Sequence, residues 1–209
     1  MILLLNCSFR GQNSNSKYFL ESVASLCTKS CEILQLNQLH GTAELLEKLK
    51  DAEAFVLGMP LYADSAPAQV VELMENLYAQ AKNQFPGKPV YAVTNLGFYE
   101  SRQIHLLLEI IKNWCVKMGM TYSGALAIGG GEMMGGLGKV PLDQGPNKQM
   151  GEGMKKLAEA ICTGKAVEDI YVHPSYFPRA FYMMAASAGW NSQRKKNGLT
   201  KKDLYRRIG

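Results

Sequence analysis

Five short apolar segments alternate along this chain with segments of helical periodicity, and this alternation is the strongest constraint on its fold. The apolar segments span residues 1–6, 31–36, 52–59, 89–94 and 123–129. The third and fifth are almost unbroken, which is typical of parallel strands covered on both faces. Strands and helices in alternation predict a doubly wound α/β fold with a five-stranded parallel sheet.

Proline and glycine mark where the intervening helices begin and end. Pro67 opens the third helical stripe, and proline in the first turn is a helix start signal. Gly119 and Gly164 follow the fourth and fifth stripes, where glycine commonly ends a helix. Because the alternation is complete by Gly164, we expect one α/β domain over residues 1–164 and a C-terminal helical extension over residues 165–209.

The loop after the first strand places polar side chains just before a helix that begins near Ser16. Residues 7–16 read CSFRGQNSNS, so hydroxyls, amides and backbone N–H groups gather at a helix N-terminus. The helix dipole there is equivalent to roughly half a positive charge, and phosphate is a common occupant of such sites. Asn and Ser are also good capping residues, so an ordinary capped loop is the alternative.

The loops after strands three and four have unusual compositions, and ligands of such sheets bind at the carboxyl ends of the strands. Tyr62, in a proline-rich loop, is expected either to lie along a flat aromatic ligand or to cover the sheet edge. Gly97, which precedes Phe98 and Tyr99, permits either a close approach of the backbone or a positive φ. The alternative interpretation of this loop is a helix start capped by Ser101. Residues 129–138 contain six glycines and predict a loop that either is mobile or packs closely around a ligand.

Charge and cysteine usage exclude several classes of protein. The net charge is +5, but residues 189–209 contain seven Lys and Arg and one Asp, so the rest of the chain sums to −1. A nucleic-acid binder carries basic surface on its folded body, so we predict no nucleic-acid partner. The five cysteines form no C-x-x-C pair, and His40, His105 and His173 are scattered, so we predict reduced thiols and no metal site.

Neither a membrane-spanning segment nor a secretory signal is recognisable in the sequence. No window reaches the roughly 18 apolar residues of a membrane span. Residues from Met1 onwards lead directly into an apolar strand, without a basic segment or a cleavage site. We therefore expect a cytoplasmic protein.

Three segments together resemble the flavodoxin-like NAD(P)H-dependent FMN reductase and quinone oxidoreductase family. They are Ser8-Phe9-Arg10 with residues 13–16, residues 60–63 with 67–69, and residues 94–100. The resemblance covers about residues 1–163, although Cys7-Ser8-Phe9 stands where many members have Gly-Ser-Pro. It implies the strand order 2-1-3-4-5, bound FMN and a homodimer.

The resemblance also implies a set of cofactor-binding residues. They are Ser8, Arg10, Asn13, Ser14, Asn15 and Ser16 in the first loop, Pro60, Leu61, Tyr62 and Ala63 in the second, and Thr94, Asn95, Leu96, Gly97, Phe98 and Tyr99 in the third. No catalytic side chain is implied, because flavin N5 accepts the hydride from NAD(P)H before a quinone, a flavin or another small acceptor is reduced. An FMN electron carrier without its own substrate and a non-enzymatic interaction protein are the alternatives.

The extension contains an apolar stretch followed by a basic one. Phe181, Tyr182, Met183, Met184 and Trp190 precede Arg194-Lys195-Lys196, and a final short helix is expected through Arg207. Three hypotheses remain open: the extension packs on its own body or a partner subunit, it forms a lid over the flavin, or it lies on an anionic membrane surface.

Overall fold

A parallel sheet organises residues 1–174 in the computed structural model, which describes residues 1–206 of the chain. Its described strands, in chain order, are β1 (Ile2–Asn6), β2 (Cys31–Gln35), β3 (Ala54–Pro60), β4 (Pro89–Asn95), β5 (Thr121–Ile128) and β6 (Ile170–Val172). Across the sheet they run β2-β1-β3-β4-β5-β6, and every pair is parallel. The predicted doubly wound α/β fold and the order 2-1-3-4-5 are confirmed.

Helices cover both faces of this sheet. They are α1 (Asn15–Leu26), α2 (Ala43–Asp51), α3 (Ala68–Ala81), α4 (His105–Met118), α5 (Gly131–Gly136) and α6 (Lys148–Thr163). Buried side chains of α2, α3 and α4 belong to one core cluster, and those of α1, α5 and α6 belong to a second. The sheet therefore lies between two apolar layers, one on each face.

The alternation of side chains along β1 explains why its sequence is apolar throughout. Leu3 and Leu5 are buried in one core cluster, whereas Ile2 and Leu4 are buried in the other. Successive residues of a strand point to opposite faces, so a strand covered on both sides needs an apolar residue at every position.

The sixth strand corrects the five-stranded sheet that the sequence predicted. Ile170 and Val172 of β6 pair with Leu126 and Ile128 of β5. A strand of three residues is too short to show a periodicity, which is why the sequence pattern missed it. The compact unit accordingly ends at Pro174 instead of residue 164.

Residues 175–206 form a second unit, which is dominated by α7 (Arg179–Lys196). Phe181 and Met184 project from one side of this helix and Met183 and Trp190 from roughly the opposite side, at 100° per residue. All four side chains are exposed. A helix that lies on a lipid surface needs one apolar face, so this distribution does not favour the membrane hypothesis.

The chain beyond α7 is only partly described. A short 3-10 helix spans Asp203–Tyr205, and the part of the expected final helix at Arg207 lies outside the described residues. Within residues 1–206, no helix has the length and apolar character that would let it cross a membrane.

We expect a chain that ends at Pro174 to be more stable than one that ends at Lys165, because only the longer chain keeps β6. Val172 is buried, and its carbonyl accepts a hydrogen bond of 2.8 Å from the Gly129 N–H. Fully burying a valine contributes about 1.5–3 kcal/mol, so the shorter chain should lose at least ~2 kcal/mol of unfolding free energy in urea. Equal values for the two chains would show that β6 is dispensable.

Candidate cofactor site at the carboxyl edge of the sheet

A cleft lies at the carboxyl ends of β1, β3 and β4, where the strand order changes direction at β1. It is lined by Ser8, Arg10, Asn15, Ser16, Pro60, Leu61, Tyr62, Asn95, Leu96, Gly97 and Glu132. All of these except Glu132 were predicted from the sequence. The three loops that the sequence singled out therefore converge on one cleft.

The buried side chain of Asn6, the last residue of β1, organises the first loop. Its Nδ2 donates to the Gly11 carbonyl at 3.1 Å, to Ser14 Oγ at 3.1 Å and to Gln35 Oε1 at 2.7 Å. Its Oδ1 accepts a hydrogen bond of 3.2 Å from the Ser8 N–H. One amide thus fixes both ends of the loop between β1 and α1, as well as the end of the neighbouring β2.

Ser14 caps α1, so the capping interpretation of the first loop holds for this residue. Its Oγ accepts the Lys17 N–H at 3.1 Å and donates to the Gly11 carbonyl at 2.8 Å. The N–H groups of Asn15 and Ser16 are in the first turn of α1, where no carbonyl of the helix can accept them. Because both residues line the cleft, this helix end offers backbone donors to an anion.

The side chains of Asn15 and Ser16 link the first loop to other parts of the site. Ser16 Oγ donates to Asn95 Oδ1 over 2.9 Å, and both residues are buried. Asn15 Nδ2 donates to the Gly131 carbonyl over 3.1 Å. The hydroxyl hydrogen of Ser16 is therefore already used in the bond to Asn95. The donors that Asn15 and Ser16 can offer to a phosphate are their backbone N–H groups.

A tight turn shapes the second loop after Pro60. The backbone N–H of Tyr62 donates to the Ser65 carbonyl at 3.1 Å, and the Ser65 N–H donates back to Tyr62 at 3.0 Å. Between them Ala63 has a positive φ of 47° and sits at the exposed tip of the turn. The Tyr62 ring is 47 % exposed and borders the cleft, so it is placed for contact with a ligand.

Backbone hydrogen bonds hold the third loop against the glycine-rich segment. Gly131 N–H donates to the Leu96 carbonyl at 2.7 Å, and Gly130 N–H donates to the Phe98 carbonyl at 2.6 Å. Gly97 is exposed, its φ lies outside the positive range, and a side chain there would have no atom within 4 Å. Of the two alternatives for Gly97, the positive φ is therefore wrong, and the missing side chain leaves the cleft open to close approach.

Six predicted residues do not line the cleft: Asn13, Ser14, Ala63, Thr94, Phe98 and Tyr99. Thr94 is fully buried in β4, where its hydroxyl donates to the Leu126 carbonyl at 3.4 Å. Tyr99 stacks on His173 with 5.0 Å between ring centroids. Asn13 and Phe98 point into solvent, and Phe98 is 65 % exposed.

The glycine-rich segment after β5 packs too closely for side chains. A side chain at Gly129 would lie 2.1 Å from the Tyr99 carbonyl oxygen, and one at Gly135 would lie 2.2 Å from Asn15 Oδ1. Glu132, in the first turn of α5, reaches the cleft from this segment. Sequence reasoning missed Glu132, although its place among the glycines after the fifth strand was the available signal.

Arg10 is the basic side chain of the cleft lining, and it makes no ion pair within residues 1–206. Lys17, on the first turns of α1, is instead paired with Glu21 at 3.2 Å and does not line the cleft. In the described part of the chain, no three His, Cys, Asp or Glu side chains are arranged to hold a metal ion. The cleft thus combines a cation with helix N–H donors, a set suited to a phosphate.

Residues 1–132 match the family of NADPH-dependent FMN reductases. The chain belongs to this family. The matched segment contains all three loops and reaches Glu132. No curated protein matches the sequence significantly.

Solved structures from several reductase and flavodoxin groups share the fold. An NADPH-quinone reductase from P. pentosaceus has a TM-score of 0.57 and 16 % identity, covering 75 % of this chain and 95 % of that one. A flavodoxin from the domain Archaea has a TM-score of 0.53 and 17 % identity, covering 78 % of this chain and 96 % of that one. The azoreductase AzrA has a TM-score of 0.52 and 13 % identity, covering 78 % of this chain and 99 % of that one. These likenesses confirm the flavodoxin-like fold.

Replacing Asn6 with Ala should lower the free energy of unfolding by about 2–4 kcal/mol, because it leaves the Ser8 N–H and Gln35 Oε1, both in buried residues, without the hydrogen bonds that they make to Asn6. Asn13→Ala is the matched control, since Asn13 is exposed in the same loop and its loss should cost within about 0.5 kcal/mol. Urea unfolding of both variants measures the difference. Similar losses in the two variants would contradict the organising role of Asn6.

Proposed function

We propose that this protein is an FMN-dependent oxidoreductase that takes a hydride from NADPH or NADH and reduces a small acceptor such as a quinone or a free flavin. The observation that carries the proposal is the cleft itself. In a chain of the FMN reductase family, it joins a helix N-terminus with a free arginine to an open edge at Gly97 and Tyr62. One end suits a phosphate, and the other suits a flat aromatic ring.

The first loop would hold the phosphate group of FMN. The N–H groups of Asn15 and Ser16 point from the first turn of α1, and Ser8 adds a hydroxyl group at the cleft. Arg10 would neutralise the phosphate, because a guanidinium can donate two parallel hydrogen bonds to it. These donors should favour FMN over riboflavin, which lacks the phosphate.

The second and third loops would hold the ring system. Tyr62 presents an exposed aromatic face, Leu61 adds apolar surface, and the missing side chain of Gly97 leaves room at the ring edge. When bound, FMN supplies the hydride-accepting chemistry, whereas the protein supplies binding, orientation and exclusion of water. Because α3 and β4 hold these loops from the core, the ring would meet a surface that is already formed.

No side chain of this cleft is needed as an acid or a base for hydride uptake. The chain's histidines are placed elsewhere: His173 stacks on Tyr99, and His105 lies on α4, 3.9 Å from Glu109. We propose in addition that the protein acts as a homodimer in the cytoplasm and that the extension, which begins at Ser175, contributes to assembly or to access of the acceptor. The exposed apolar side chains of α7 support that role for the extension.

The purified protein, supplied with FMN, should oxidise NADPH or NADH in the presence of a quinone, and Gly97→Val should abolish this turnover. A Cβ at position 97 would have no atom of the protein within 4 Å, so valine there should leave the fold intact while filling the space for the ring. Gly136→Val is the control, because position 136 is equally open, belongs to the same compact unit and does not line the cleft. Oxidation is followed by the loss of nicotinamide absorbance.

Two outcomes would redirect the proposal. A protein that binds FMN but oxidises neither nicotinamide nucleotide is an electron carrier of the flavodoxin kind. A protein that takes up no FMN has lost the cofactor, and its function does not lie in flavin chemistry.

Arg10→Ala should weaken FMN about tenfold or more while leaving riboflavin unchanged, since a hydrogen bond to a charged group contributes about 1.5–3 kcal/mol. Lys17→Ala is the matched control, because it removes a nearby positive charge that lies outside the cleft. Titration calorimetry with both ligands separates the two effects. An equal loss of affinity for FMN and riboflavin would show that Arg10 does not contact the phosphate.

A further inference from the structure

Three of the five cysteines meet at the edge of the sheet opposite the cleft. Cys27 directly follows α1, Cys31 is the first residue of β2, and Cys162 lies in the last turn of α6. All three are partly exposed. We call Cys27, Cys31 and Cys162 the thiol cluster.

The thiol of Cys27 stands at the centre of the thiol cluster. Cys162 Sγ accepts the backbone N–H of Thr28, the residue after Cys27, at 3.3 Å, so the Cys27 backbone lies next to that sulfur. The Cys31 and Cys162 sulfurs are close enough to Cys27 to raise the pKa of its thiol. The Cys31 thiol instead donates to the carbonyl of Lys29 at 3.5 Å. Cys162 is thus the sulfur that accepts hydrogen bonds, and Cys27 is a sulfur that can donate one to it.

These contacts shift the pKa values of Cys162 and Cys27 in opposite directions. Partial burial would raise the pKa of Cys162, but hydrogen bonds from the Lys29 backbone N–H and from the side chain and backbone of Thr28, with a smaller one from the Cys27 thiol, hold the pKa below its usual value. Burial raises the pKa of Cys27, and its neighbouring sulfurs raise it further. A thiolate is the nucleophilic form of cysteine, so Cys162 is the reactive member.

The two remaining cysteines provide internal controls. Cys7 and Cys115 are fully buried in the core, where burial raises the pKa of both thiols. They are therefore inert towards polar reagents while the protein is folded. A difference in reactivity among the five cysteines reports on the thiol cluster alone.

We propose that Cys162 and Cys27 form a reversible redox site that hydrogen peroxide oxidises to a disulfide between the ends of α1 and α6. The Cys162 thiolate attacks one peroxide oxygen, so that an S–O bond forms as the O–O bond breaks, and the released hydroxide takes up a proton to become water. Cys27 then attacks the sulfur of this sulfenic acid, and an S–S bond forms as the S–O bond breaks. The Cys27 proton leaves with the hydroxyl group as a second water, so two electrons pass from the two thiols to the peroxide.

Peptide mapping can identify the disulfide without ambiguity, because a trypsin site at Lys29 separates Cys27 from Cys31. Complete cleavage places Cys27 in peptide 18–29, Cys31 in peptide 30–48 and Cys162 in peptide 157–165. We expect the full-length protein, treated with an equivalent of hydrogen peroxide and digested without reductant, to yield peptides 18–29 and 157–165 joined with the loss of two hydrogen atoms. Dithiothreitol should release them.

Three single variants distinguish the roles of the thiols. Cys27→Ser should stop the reaction at a sulfenic acid on Cys162, which dimedone traps, whereas Cys162→Ser should give neither product. Cys31→Ser is the matched control and should still form the disulfide. Before oxidation, Cys162 should react with iodoacetamide faster than Cys31, because hydrogen bonds hold the pKa of Cys162 down and burial raises that of Cys31, so Cys162 has the larger thiolate fraction.

Three results would overturn the proposal. One is a wild-type protein in which Cys162 is oxidised to sulfinic acid without any cross-link to Cys27. The second is a disulfide between Cys27 and Cys31, and the third is an equal alkylation rate for Cys31 and Cys162. None of these measurements depends on bound FMN or on turnover, so the thiol cluster and the proposed function are tested separately.

Discussion

The hydrogen bonds of the Asn6 side chain are the constraint on which the site depends. A polar group in a strand covered on both faces is costly unless it is satisfied, and Asn6 has partners on β2, on the first loop and on the cap of α1. Those partners hold the chain where β1 ends, so the first turn of α1 opens towards the cleft. Without this amide the sheet would still have its core, but the loop would lose the contacts that define its path.

Helix α1 connects the cleft with the thiol cluster. Its first turn belongs to the cleft, and the residue after its last turn belongs to the thiol cluster. A helix of 12 residues is about 18 Å long, so the cleft and the cluster are well separated. Oxidation of Cys162 would therefore affect the C-terminal ends of α1 and α6 more directly than it affects the cleft.

The sequence predicted the sheet up to β5 because unbroken apolar segments and helical stripes are local patterns. It also identified the loops of the site, since each carries an unusual composition next to a strand. It missed β6, whose three residues show no periodicity, and it did not show that the Ser16 hydroxyl is bonded to Asn95, which leaves Ser16 its backbone N–H as a donor to a phosphate. Contacts between residues far apart in the chain, such as Ser16 with Asn95 or Cys27 with Cys162, depend on how the elements pack, and no pattern within either segment encodes them.

The hydrogen bond between Ser16 and Asn95 has a consequence for how tightly any ligand can be held. It joins loops that follow β1 and β4, two strands that are not neighbours because β3 lies between them. The distance between the two ends of the cleft is therefore set when the chain folds, and a ligand does not need to order the loops on arrival. The conformational entropy of ordering the site is therefore lost when the chain folds and not when the ligand binds. A larger part of the free energy of each ligand contact then contributes to affinity.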